Sequence, residues 1–271
     1  MKAIRFLLKQ ILAVVIAVLF MFPIYYFFVV SFLPKDALFS YPPPIFPIPF
    51  TLSNYPAAMS AFLGFQGLKN SLIVGIAVTV ITLAVGTPAA YSLARFRTGG
   101  RHLPFWILSQ RMMPPIAAII PLFLLMRSIR MVDTLQALVI AQLITVLPFG
   151  IWFVRGFFAE LPVEMEEAAL IDGCSRLGAL RRIALPLAAP GIAVTGLLAF
   201  VLSWNELLFA VVLTRGTSMT LPVAMANATS AHGIAFTILA ALAMVSIFPA
   251  ALIAIVAQRY LVRGLTLGAL Q

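Results

Sequence analysis

The sequence predicts an all-α integral membrane fold of six transmembrane helices, and three observations carry that prediction. Hydrophobic residues make up 63% of the 271-residue chain and charged residues 10%, against roughly 25% charged in soluble domains. Mean hydropathy is +1.10. Six apolar runs are each long enough to cross about 30 Å of hydrocarbon, and the charged residues collect between the runs.

The first run, near 11–32, follows Lys2, Arg5 and Lys9. A basic start also suits a signal peptide, but about 20 apolar residues with no small-residue cleavage site predict a retained helix. Residues 33–68 then contain "YPPPIFPIPF". Proline removes backbone donors and fixes φ, so this stretch reads as an extended, semi-rigid loop. The second and third runs lie near 69–93 and 104–126, and Pro114–Pro115 in "SQRMMPP" predict a kink or break within the third. The fourth, fifth and sixth lie near 136–157, 189–213 and 235–257. Residues 214–234, between the last two, mix small polar and apolar side chains. For both long loops, plain connection and contact with an external partner stay open. No tandem repeat, low-complexity tract or linker divides the chain, which reads as a single transmembrane domain over 1–271.

An even number of spans puts both termini on one side. Twelve basic residues lie on that side, among them Arg95, Arg97, Arg101, Arg155, Arg176, Arg181 and Arg182; five lie on the other, namely Lys35, Lys69, Arg127, Arg130 and Arg215. By the positive-inside rule both termini are expected in the cytoplasm. Topology thus accounts for the formal charge of +10. Nucleic acid is not expected as a partner, since the cations form no basic stripe with interleaved aromatics. Cys174 is the single cysteine, so an internal disulfide and a cysteine metal cluster are both excluded. His102 and His232 stand alone in loops, and no metal site is expected.

One segment, 160–188 on the cytoplasmic side, departs from the apolar background. Five of the eight acids, Glu160, Glu164, Glu166, Glu167 and Asp172, sit there. Pro162 suits a helix start, the carboxylates after it complement the positive end of the dipole, and Gly173 supplies a stop. The result is a helix of about three turns, on which Met165, Ala168, Ala169 and Asp172 share one side by i, i+3, i+4, i+7 spacing. After Gly173, "SRLGALRRIALPL" reads as a second short, basic helix ending near Pro186. A helix resting on lipid headgroups and a docking element for a cytoplasmic subunit both fit these residues.

The pattern Glu167, Ala168, Ala169, three residues, Gly173, nine residues, Ile183, one residue, Leu185, Pro186 resembles the signature loop of permease subunits of binding-protein-dependent ABC importers. Further stretches are similar to the carbohydrate branch, of the maltose permease type: "NSLIV" at 70–74, "AAYSLAR" at 89–95, "MPP" at 113–115, "LPFGIWFVRGFF" at 147–158, "SWNELLFA" at 203–210 and "TLPV" at 220–223. "GLTLGA" at 264–269 resembles the tail of the smaller permease of such pairs.

This resemblance implies a type I ABC importer permease fold in a prokaryotic inner membrane, with a coupling helix between the fourth and fifth spans. It also implies a second, different permease, two ATP-binding subunits and an extracytoplasmic solute-binding protein, in membrane lipid. ATP and Mg would belong to the partner ATPase, with no cofactor held by this chain. Glu167, Ala168, Ala169, Asp172, Gly173, Ile183, Leu185 and Pro186 become the ATPase-coupling residues. Cargo is expected to be a sugar or sugar derivative, with a polyol or an anionic derivative such as a phosphate or sulfonate as the alternative.

Ionisable residues at membrane depth are costly and are functional candidates by default. Arg111 and Glu206 qualify, and either pairing with each other or facing a water-filled path fits both. Trp204 and Asn205 offer an apolar ring face and an amide, the groups that recognise a sugar. The four are candidates for the substrate path, while packing against the partner permease is the competing role of Asn205 and Glu206 and an interface ion pair is that of Arg111. A membrane enzyme would need paired acids, a metal cluster or a nucleophile and base, and the spans offer no such set. A secondary transporter would show internal halves, which are absent. No GxxxxGK[ST] loop occurs, so any ATP hydrolysis belongs to another polypeptide.

Overall fold

The computed structural model describes residues 2–61, 63–228 and 236–267, and among them every regular element is helical. His232 and the end of "GLTLGA" lie outside the described residues. In chain order the helices are α1 (Lys2–Ser31), α2 (Asn54–Ala61), α3 (Gly64–Arg95), α4 (His102–Ser109), α5 (Pro115–Ser128), α6 (Leu135–Glu160), α7 (Glu164–Ile171), α8 (Arg176–Ala179), α9 (Leu185–Trp204), α10 (Leu208–Leu213), α11 (Leu221–Ala228) and α12 (Phe236–Leu267). Among the described residues, five helices are long and apolar enough to cross a membrane. The bent pair of residues 102–112 and 115–128 makes six if it counts as one span.

Two spans depart in detail from the hydropathy runs. The third is bent by 89° at its break. Met113 and Pro114 both precede a proline, which drives them out of the helical region, and both adopt extended ψ of 126° and 123°. The fifth begins earlier than expected. Instead of a short helix ending near Pro186, α8 runs through a π-turn at Leu180–Ala184 into α9, giving one helix over Arg176–Trp204. Proline lacks the amide that would bond the carbonyl four residues back. The wide turn just before it, closed by Leu185 N–H donating to Leu180 O, lets the chain pass Pro186 without stopping. The same span breaks at Asn205–Leu207 and resumes as α10.

The chain divides into two compact units, residues 1–66 with 223–249 and residues 67–222 with 250–271. In the first, the proline-rich stretch is tied to the end of α1: Tyr25 Oη donates to Ile45 O at 2.9 Å, and Thr51 N–H donates to Phe32 O at 2.8 Å. Phe32 stacks on Phe50 with centroids 5.1 Å apart. Asn54 opens α2 and donates to Ser31 O and Leu33 O at 2.9 and 2.8 Å, satisfying the carbonyls where α1 ends.

In the second unit α6 lies along α9. Small residues permit the approach, as expected where no hydrophobic gain drives helices together in lipid. A Cβ placed on Gly191 would overlap the Phe157 ring. Near one end of this pair, Ala90 and Tyr91 of α3, Val154 and Phe158 of α6, and Ala184 and Ala188 form a buried cluster. Toward the other end, Asn70 Nδ2 donates to Thr217 O and Met219 O at 2.8 and 2.7 Å, and Ser71 Oγ accepts from Leu221 N–H at 2.9 Å. The "NSLIV" and "TLPV" stretches are thereby joined. Asp133 accepts from Arg215 N–H at 2.8 Å and from the Ser218 hydroxyl.

Candidate functional site

The signature segment forms α7, two turns long rather than three, followed by α8. Val163 O accepts from the amides of Glu166 and Glu167 to start α7. At the far end Gly173, with φ +86°, lets the chain reverse, and its neighbour Cys174 donates its amide to Ala169 O at 3.0 Å. Ser175 then caps α8, its hydroxyl accepting from Gly178 N–H at 3.1 Å.

Burial divides α7 at a different angle from the spacing alone. Of the four residues on the expected face, Ala169 is buried, whereas Met165, Ala168 and Asp172 are exposed. The buried side is centred on Glu166 and Ala169. Around it, Val163, Met165 and Leu170 on the flanks and Ile171 on the far side present apolar surface, and Ile171 is 87% exposed. Glu167 and Gly173 are exposed, Ile183 and Leu185 are half-buried, and Pro186 is exposed.

Glu166, which the sequence reading assigned only to the helix dipole, has a partner for each carboxylate oxygen. Arg95 Nε donates to Oε1 at 2.7 Å and Tyr91 Oη donates to Oε2 at 2.5 Å. Both charged side chains are 8% exposed. Arg95 Nη2 also donates to Leu161 O at 2.9 Å, in the turn between α6 and α7. Tyr91 sits edge-on to Phe158 and Phe96, with centroids at 5.3 and 5.7 Å, and the Arg176 guanidinium lies 5.2 Å over Phe96. One signal was available: in "AAYSLAR", Tyr91 and Arg95 are four residues apart and so share a helix face.

The membrane-depth candidates are not brought together. Arg111 stands in a turn of 3-10 helix at residues 110–112, exposed, with its guanidinium 4.5 Å over the Phe149 ring, a cation–π contact rather than a pairing with Glu206. Glu206 accepts from the amides of Phe209 and Ala210 at 2.8 and 3.2 Å and so caps α10 where the fifth span resumes. Gln142 Nε2 of α6 lies 3.5 Å from its Oε2, and Gln142 Oε1 accepts from the Ser203 hydroxyl. Gln142 was missed because it is a single neutral polar residue within an apolar run, and Ser203 because its hydroxyl stands beside the stronger signals of Trp204, Asn205 and Glu206. Trp204 is 3% exposed and stacks on Phe200 at 5.5 Å, so packing within the chain covers its ring. Asn205 is exposed and donates back to Val201 O at 2.9 Å, closing α9.

Among the described residues no group of three or more His, Cys, Asp or Glu is placed to hold a metal ion. Chemically the α7 segment offers an apolar, partly acidic surface, and the fifth-span break offers a polar knot that orders backbone.

Residues 82–266 match the family described as binding-protein-dependent transport system inner membrane component. The chain is 36% identical over 273 residues to the trehalose/maltose transport system permease protein MalG of Thermococcus litoralis, covering 97% of this chain and 98% of that one. It is 34% identical over 262 residues to the diacetylchitobiose uptake system permease protein DasC of Streptomyces coelicolor, covering 96% and 95%. Among solved structures, a chain of a bacterial ABC transporter that imports the acidic polysaccharide alginate superposes with a TM-score of 0.78 at 25% identity, over 96% of this chain and 97% of that chain. With this family matching most of the chain, a relative aligned end to end and an importer subunit of the same fold, the chain belongs to the binding-protein-dependent transport system inner membrane components, the permease subunits of ABC importers.

Proposed function

We propose that the chain is one of two different permeases of an ATP-driven importer for a sugar or sugar derivative, and that residues 163–186 couple it to a separate ATPase. The observation that carries the coupling is the build of α7: fastened to the body through Glu166 and Ala169, it leaves Val163, Met165 and Leu170 exposed on its flanks and Ile171 on its far side. An isolated apolar patch on a short helix held by a buried ion pair suits a protein partner. The partner is one of two ATP-binding subunits, each of which holds ATP and Mg, and Glu167, Ala168, Asp172 and Gly173 border the contact. The twelve-to-five asymmetry of cations supports placing α7 and both termini in the cytoplasm. A solute-binding protein delivers cargo on the opposite face.

The sugar assignment is supported by the cargo that the aligned permeases are named for, trehalose/maltose and diacetylchitobiose. A second reading, cargo bearing an anionic group, is favoured by Arg111, whose exposed guanidinium is held over Phe149 without a carboxylate partner among the described residues, and by the alginate importer's likeness. Trp204 would have to leave its stack on Phe200 to meet a sugar, which moves weight to Asn205 and Arg111 as path residues.

The test is ATP hydrolysis by the complex purified through a tag on this chain, in lipid, with its binding protein and a panel of sugars. Stimulation by a neutral oligosaccharide supports the first reading, and stimulation only by a uronate, sulfonate or phosphate supports the second. If no ATPase co-purifies, the coupling assignment of α7 fails.

A further inference from the structure

We infer that Arg95, Glu166 and Tyr91 are positioning residues for transport: they clamp α7 to the last turn of α3, so that displacement of α7 is passed to the second span. This rests on the coupling reading of α7 given above.

The geometry is directional. Glu166 uses both carboxylate oxygens on α3, one on Arg95 and one on Tyr91. Arg95 in turn holds Leu161 O, so the turn entering α7 and the helix itself are bound by the same guanidinium. Beyond Gly173, Arg176 covers Phe96, which contacts Tyr91. Residues 91–96 thus receive the chain before, within and after α7. Otherwise the buried surface of α7 is slight, Ala169 being the other buried residue of the helix.

A buried ion pair is weak as a source of stability, because desolvation offsets the attraction; what it supplies is a fixed register. Apolar packing lets two helices slide at small cost, whereas a bidentate carboxylate cannot slip without leaving a charge unpaired at low exposure. Glu166 and Glu167, adjacent in sequence, therefore have opposite duties: Glu167 faces outward, and Glu166 ties the helix to the body.

The experiment compares variants in the reconstituted complex with its binding protein and transported sugar, reading sugar moved per ATP hydrolysed alongside the amount of ATPase that co-purifies. Glu166→Gln and Arg95→Gln are expected to retain the ATPase, since the outward face of α7 is untouched, and to lower the transport ratio about tenfold, within the range of coupling between sites. Tyr91→Phe, which removes one hydrogen bond and keeps the ring packing, is expected to lower it by about threefold. The double variant Arg95→Met with Glu166→Leu leaves no unpaired charge and so keeps the fold where a single variant leaves one charge buried alone; it is expected to assemble and remain uncoupled. A double variant that transports at the wild-type ratio makes the pair merely structural and overturns the inference, as does a Glu166→Gln complex with an unchanged ratio. Ile171→Arg separates the two readings: it is expected to lose the ATPase altogether. Should Ile171→Arg keep both the ATPase and transport, the coupling surface is elsewhere and the clamp falls with it.

Discussion

At the scale of single residues, Gly173 shows how far one backbone angle constrains the site. Its φ of +86° ends α7 and starts the reversal into α8, and a Cβ there would meet open space rather than a neighbour. The constraint is therefore conformational, and a β-branched side chain at positive φ costs about 1–2 kcal/mol. Gly173→Val is expected to leave expression and membrane insertion intact while tilting α7, so that ATP hydrolysis continues and uptake falls; uptake equal to wild type at equal expression counts against the role. Sequence reading found Gly173, because glycine after an acidic, alanine-rich helix is a stop signal, but it passed over Glu166 as one of several dipole-complementing acids. Only its neighbours distinguish it: Arg95 is 71 positions away along the chain and 8% exposed.

At the scale of elements, the span boundaries follow local chemistry that hydropathy does not weigh. The π-turn at Leu180–Ala184 carries the fifth helix past Pro186, and the carboxylate of Glu206 stops and restarts it at residues 205–207 by satisfying the free amides of α10. Packing of α6 on α9 depends on small residues at the crossing, where Gly191 receives the face of Phe157. Gly191→Leu is expected to overpack this contact and destabilise by about 1–3 kcal/mol, seen as a lower thermal unfolding midpoint in detergent. Adding Phe157→Ala to the same chain is expected to recover part of the loss. An unchanged midpoint in the single variant would show that the helices separate freely there.

For the whole molecule, orientation can be checked with a probe the chain already carries. Cys174 is its single cysteine and is half-buried beside Gly173. A membrane-impermeant maleimide is expected to label it in inside-out vesicles and not in right-side-out ones, with slower labelling once the ATPase is bound; the reverse pattern would invert the topology. By itself the sequence determined the membrane class, the six apolar runs, the proline break in the third and the position of the signature segment. Those properties are set by residue type along the chain, through transfer free energy and backbone stereochemistry, which act locally. The tertiary structure alone decided which side of α7 is buried, what Glu166 and Glu206 hold, and that Trp204 turns into its own chain instead of outward. The buried side of α7 and the contact of Glu206 with Gln142 depend on partners distant in sequence, Arg95 and Glu166 being 71 positions apart and Gln142 and Glu206 64. A short helix has no preferred side, and a buried carboxylate no preferred partner, until the remote residue that satisfies it has been brought to hydrogen-bonding distance.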